Sequence, residues 1–142
     1  MAFTGNYICT SFKKEVLKAL HDLSVGGNTF KLALYDSTAT LNAATTVYTT
    51  TGEVTGANYT AGGANLTNIE PANGGTTGYT DFVDLTFSSV TLTARGGLIY
   101  NSTNGNRAVV VLDFGTNKTR VAADLVIPFP TADSLNAIIL IK

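Results

Sequence analysis

The sequence predicts an all-β protein: an antiparallel β-sandwich or partly open barrel, jelly-roll or Ig-like, with one short N-terminal amphipathic helix. Three observations carry this. Asn104-Gly105 is a tight-turn pair between the apolar runs Leu98-Ile99-Tyr100 and Ala108 to Leu112, the pattern of two strands folded into a hairpin. Thr29 to Tyr35 alternates at the strand period, with Phe30, Leu32 and Leu34 on one face and Lys31, Ala33 and Tyr35 on the other. Helical spacing occurs in one segment, near the start. The 142 residues fit a single domain, 1–142, with an N-terminal arm over 1–10, a helix over 11–25 and a β core over 29–142.

The elements follow in order. Phe3, Tyr7 and Ile8 in the arm are apolar enough to pair with a neighbouring subunit, which makes Phe3 and Tyr7 interface candidates. Phe12, Val16, Leu17, Leu20 and Leu23 then recur at helical spacing with Lys13, Lys14, Lys18 and Asp22 between them; Thr10 or Ser11 can cap the start, and Gly26-Gly27 ends the run. Such a helix either covers an open end of the β core or docks on a partner. After the strand at Thr29–Tyr35, residues 36–58 are rich in Thr, Ala, Ser and Gly and read as an excursion anchored by Val47-Tyr48 and Val54. Tyr59 to Ile69 can form a weak strand bent at Gly62-Gly63, and Pro71 to Gly78 reads as an exposed loop. Asp81 to Phe87 places Val83, Leu85 and Phe87 on one face, and Thr91 to Tyr100 leads into the hairpin, whose second strand ends at Asp113-Phe114-Gly115. A strand at Val121–Phe129 is stopped by Pro128 and Pro130, and the apolar Ala137 to Ile141 reads as a final strand in the middle of a sheet.

Composition narrows the function classes. A net charge of −1, with scattered Lys and Arg, offers no basic stripe for nucleic acid. The longest apolar run, Ala137 to Ile141, is too short to cross a bilayer, and the start lacks the pattern of a secretory signal, so the four Asn-x-Thr sequons at Asn58, Asn65, Asn101 and Asn117 reflect composition. Cys9 is alone and reads as a small packed apolar residue. His21, the single histidine, falls on the polar flank of the helix and reads as a surface residue. With no second histidine or cysteine cluster, no metal or cofactor site is expected. Asp81, Asp84, Asp113, Asp124 and Asp133 match neither an EF-hand nor a paired-carboxylate pattern and suit turns and strand edges. The glycine doublets at 62–63, 74–75 and 96–97 lack the flanks of a phosphate cradle. The expectation is therefore a protein that is not an enzyme. Tyr48, Tyr59 and Tyr79, set in Gly- and Thr-rich stretches, are the remaining interface candidates, able either to stack on sugar rings or to pack within the fold or an oligomer.

The blocks Phe30-Lys-Leu-Ala-Leu-Tyr-Asp-Ser, Gly52-Glu-Val-Thr-Gly, Tyr59-Thr-Ala-Gly-Gly-Ala-Asn-Leu, Asp81-Phe-Val-Asp-Leu-Thr-Phe, Thr93-Ala-Arg-Gly-Gly-Leu-Ile-Tyr and Val111-Leu-Asp-Phe-Gly, in that order, resemble a family of small structural proteins of tailed bacteriophages. The resemblance runs from about Phe12 to the C-terminus. It implies a virion component assembled in the bacterial host cytoplasm, a decoration or cement protein that binds the major capsid protein or other virion proteins and forms a homo-oligomer. It brings no catalytic residue and no cofactor, and it calls for neither nucleic acid nor membrane. A tail, neck or fibre-associated module that binds a host-surface glycan or serves as an adaptor is the alternative.

Overall fold

A computed structural model describes residues 3–142; of the expected arm, Met1 and Ala2 lie outside the described residues. The elements run β1 (Tyr7–Ile8), α1 (Thr10–Leu17), β2 (Phe30–Tyr35), β3 (Ala64–Asn65), β4 (Asn68–Gly74), β5 (Thr77–Phe82), β6 (Leu85–Asn101), β7 (Arg107–Ile127) and β8 (Ile139–Ile141). They form two antiparallel sheets, one of five strands in the order β1-β7-β6-β2-β3 and one of three in the order β4-β5-β8. The fold is all-β and sandwich-like, and neither sheet closes into a barrel. Phe30 of β2 meets Phe82 of β5 with ring centroids 5.7 Å apart, so aromatic packing joins the two sheets.

The period-2 pattern of residues 30–35 produces the central strand. β2 pairs with β6 from Phe30↔Asn101 to Tyr35↔Gly96. Expected to be half-buried, it is buried on both faces except at Lys31, because the 36–63 excursion folds over its second face. That excursion returns to β2 through an isolated bridge between Tyr35 and Glu53 and a bond from Val54 N–H to the Leu34 carbonyl. The β6–β7 hairpin turns as expected, but its positive-φ pair is Gly105 (φ 66°) and Asn106 (φ 55°), not Asn104-Gly105. Asn104 instead spends its side chain on the Leu20 carbonyl, tying the turn to the segment after α1.

Several expectations are corrected. The helix over 11–25 is confined to Thr10–Leu17, with Cys9 as its N-cap, not Thr10 or Ser11. It stops because Ala19 adopts φ 57° and the chain turns inward, carrying His21 into the core; the helical spacing of Leu20 and Leu23 is not used. Pro71 to Gly78 is no loop but most of the β4–β5 hairpin, with Pro71 tolerated at a register shift between Ile69 and Ala72 on an edge strand. The expected strand over 81–87 breaks at Val83-Asp84, leaving Val83 exposed and Asp81 buried. Asp113-Phe114-Gly115 does not end a strand: β7 continues, and residues 114–117 bulge opposite the single residue Arg95, which pairs with Asp113. Finally, β8 is an edge strand of the smaller sheet and not a central one.

Candidate interaction surface

Phe3 and Tyr7 are claimed by the chain itself. Phe3 is buried against Gly96 with the Arg95 guanidinium 5.7 Å from its ring centroid, and Tyr7 pairs with Val111 in β1–β7. The segment expected to reach a neighbouring subunit thus completes its own sheet. It is locked further by the Asn6 side chain, which accepts the Asp113 N–H at 2.6 Å.

Tyr48 and Tyr59 converge on one carboxylate. Glu53 accepts the Tyr48 hydroxyl at 2.6 Å on Oε2, and on Oε1 the Tyr59 hydroxyl at 2.8 Å and the Gly62 N–H at 2.7 Å. Tyr59 also accepts the Leu34 N–H at 2.9 Å. Tyr35 and Tyr100 flank the cluster, donating to the carbonyls of Thr49 and Gly62 at 2.6 Å each, and Tyr48 stacks on Tyr100 at 4.7 Å. Burial pushes the Tyr100 hydroxyl up to about 12, with the Glu53 charge adding to it, and the same two causes hold Tyr35, Tyr48 and Tyr59 well above the usual phenol range. Four tyrosines and one glutamate therefore pin the 36–63 excursion to β2 and β6. Their spacing along the chain has no period, so pattern reading could not group them.

His21 belongs to a second closed network. Its side chain is fully buried, with the ring 4.8 Å from Phe12. Asn101 Oδ1 accepts the N–H groups of Thr103 and Asn104, which turns its Nδ2 toward His21 Nδ1, 3.0 Å away. Nδ1 must then accept, leaving the proton on Nε2 to donate to Glu15 at 2.8 Å. Glu15 also accepts from Arg107 at 3.1 Å. Burial pushes the Glu15 carboxyl up, but the bonds from His21 and Arg107 outweigh it and hold the group below its ordinary value. The reading of His21 as a surface residue is thus overturned. An acid–imidazole pair can serve as a general base only if a ring nitrogen reaches substrate, and here both are occupied inside the core. Cys9, fully buried, has its thiol pushed up to about 11 by burial and then by the Glu15 charge. Among the described residues, no group of three or more His, Cys, Asp or Glu could hold a metal ion.

Tyr79 stands elsewhere, on β5 beside the apolar side of α1. Two adjoining cavities of about 310 and 260 Å³ lie there, sharing Phe12, Val16, Ile139 and Ile141; Tyr79 and Leu23 line the first, Leu17 and Lys13 the second. Phe12 is buried, while Leu17 at the end of α1 is 88% exposed and Ile141 on β8 is 60% exposed. The result is an apolar groove between a helix and an edge strand, open to solvent at both walls. Of the five candidates, only Tyr79 lies in it. Comparison with known protein families, with curated proteins and with solved structures finds no match for this chain.

Proposed function

We propose that this chain is a non-enzymatic structural protein of a tailed-phage virion, a decoration or cement protein on the capsid that binds the major capsid protein and associates with copies of itself. The observation that carries the reading is the division of labour among its side chains. The buried ionisable groups Glu15, His21 and Asp81 bond to the chain's own backbone and side chains, whereas Leu17, Leu135, Val121 and Ile141 stand on the surface. Apolar side chains gathered in one exposed groove, as Leu17 and Ile141 are, favour contact with another protein, and a closed polar interior favours a rigid spacer over a reactive site. The order of the sequence blocks resembling phage structural proteins supports the same reading.

The test is the copy number of the chain relative to the major capsid protein, by quantitative mass spectrometry of purified particles with heads and tails separated. Hundreds of copies in the head fraction are expected. A handful in the tail fraction would favour the tail, neck or fibre module instead, and absence from particles would overturn the virion reading.

A further inference from the structure

We infer that the cavity in the bend of the β6–β7 ribbon binds a small organic carboxylate, with its apolar body on the cavity wall and its charge between Lys118 and Arg120. This goes beyond the assembly reading and does not depend on it. Leu112 and Ile127 stand far apart on one strand, roughly 50 Å if it were straight, yet both line this cavity, so the ribbon folds back on itself. The space is about 420 Å³, the size of a small-ligand site. Leu112, Phe114, Leu125, Ile127 and Pro128 supply its apolar wall.

Strand alternation brings the charge inside. In the β6–β7 register Lys118 stands opposite Ala94 and Arg120 opposite Leu92, and cross-strand partners share a face. Ala94 and Leu92 are buried, whereas Thr93 and Thr119 between them are exposed on the other face, their hydroxyls 2.9 Å apart. Both cations therefore leave the strand on the face that otherwise carries apolar residues, and both line the cavity. Among the described residues neither has a carboxylate partner. Arg120 is held in position from behind, donating from Nε to the Asp124 carbonyl and from Nη1 to the Thr119 carbonyl at 2.9 Å each, which leaves Nη2 for a ligand.

The nearby acids are already engaged. Asp113 lines the cavity, but its Oδ1 accepts from the Arg95 guanidinium and the Gly115 N–H. Asp124 alternates with the cavity-lining Leu125 and accepts the Ser89 N–H at 2.8 Å. Asn6, also on the lining, accepts the Asp113 N–H through Oδ1 and so keeps its amide N–H groups as neutral donors. A monoanion suits this balance better than a phosphate dianion, which Asp113 would repel more strongly.

The experiment titrates the isotope-labelled full chain with phenylbutyrate, with its neutral amide and with phenyl phosphate, reading backbone amide shifts. The acid is expected to bind at least about tenfold tighter than the amide, with the largest shifts at Asn6, Leu125 and Ile127. Lys118→Gln, at an exposed side chain, should leave the thermal melt unchanged, weaken the acid at least about threefold and spare the amide. Arg120→Gln should erase the preference for the acid and Arg120→Lys should keep it, which separates a lost charge from a disturbed strand. Lys14→Gln, which removes a cation on α1, should change nothing. Equal affinity for acid and amide, no shifts with either up to about 10 mM, shifts centred on the α1–β8 groove, or equal weakening by Lys14→Gln would overturn the inference. Tighter binding of phenyl phosphate would overturn the carboxylate as the ligand class.

Discussion

Three donors meet the Glu53 carboxylate, and removing it would strand two phenols and a backbone N–H in partly buried surroundings. Glu53→Ala is expected to cost about 3 kcal/mol in denaturant unfolding, and Glu53→Gln, which keeps one acceptor, about 1 kcal/mol. A loss below about 0.5 kcal/mol for the alanine variant would mean that the tyrosines find other partners. Glu15 predicts a pH dependence. Its folded-state value lies below its ordinary 4.5, so the stabilisation it provides is present in full above about pH 4.5 and disappears as pH falls through the lower folded value. The stability difference between the native chain and Glu15→Gln should therefore shrink on acidification; a difference constant from pH 7 down to pH 3 would contradict the assignment. Neither network was legible in the sequence. A helical wheel put His21 on the polar flank, but the wheel fails once Ala19 enters left-handed geometry, and no periodicity links Tyr35, Tyr48, Glu53, Tyr59 and Tyr100.

At the scale of elements, two glycines with similar backbone angles separate steric need from conformational need. Gly63 has φ 77°, and a side-chain carbon there would fall onto the Leu32 carbonyl oxygen; Gly75 has φ 58° in the β4–β5 turn with nothing near it. Gly63→Ala should cost more than about 3 kcal/mol or prevent folding, while Gly75→Ala should cost about 1 kcal/mol by chemical denaturation. Similar losses at both sites would remove close packing of β3 on β2 as the explanation. Elements marked by strong alternation, β2 and the β6–β7 hairpin, could be read directly from residues 30–35 and 98–112. The β4–β5 hairpin could not, since Pro71 and the glycines at 74, 75 and 78 carry every sign of a loop. Pairing on an edge tolerates them, and local composition does not report which strand is an edge. The groove was half legible: the apolar spacing of Phe12 and Val16 marked one wall, but β8 was expected inside a sheet, where no groove could form beside it.

For the whole molecule, the N-terminal segment is the last strand of the five-stranded sheet and carries Phe3 into the core. Deleting residues through Ile8 should lower stability by about 3 kcal/mol or more, the scale expected for losing a buried phenylalanine alone. A truncated chain with an unchanged melting temperature would show that Tyr7 and Ile8 merely rest on β7. The all-β class was visible because hydrophobic alternation survives every local interruption. The strand order within the two sheets was not, because it depends on pairings such as Tyr7↔Val111 between residues far apart in the chain.

The outer half of β7 has one further consequence. Beyond Val111 its free side meets no strand among the described residues, yet this margin is not straight: Val121 and Ala122 bulge opposite Thr91, with Ala122 at φ 46°, and Ser89 sits at φ 51° on the neighbouring strand. A crooked margin cannot template the next chain. A straight margin would offer a long run of unpaired N–H and C=O groups; the kinks at Ser89 and Ala122 break that run, which guards the chain against edge-to-edge growth into fibres.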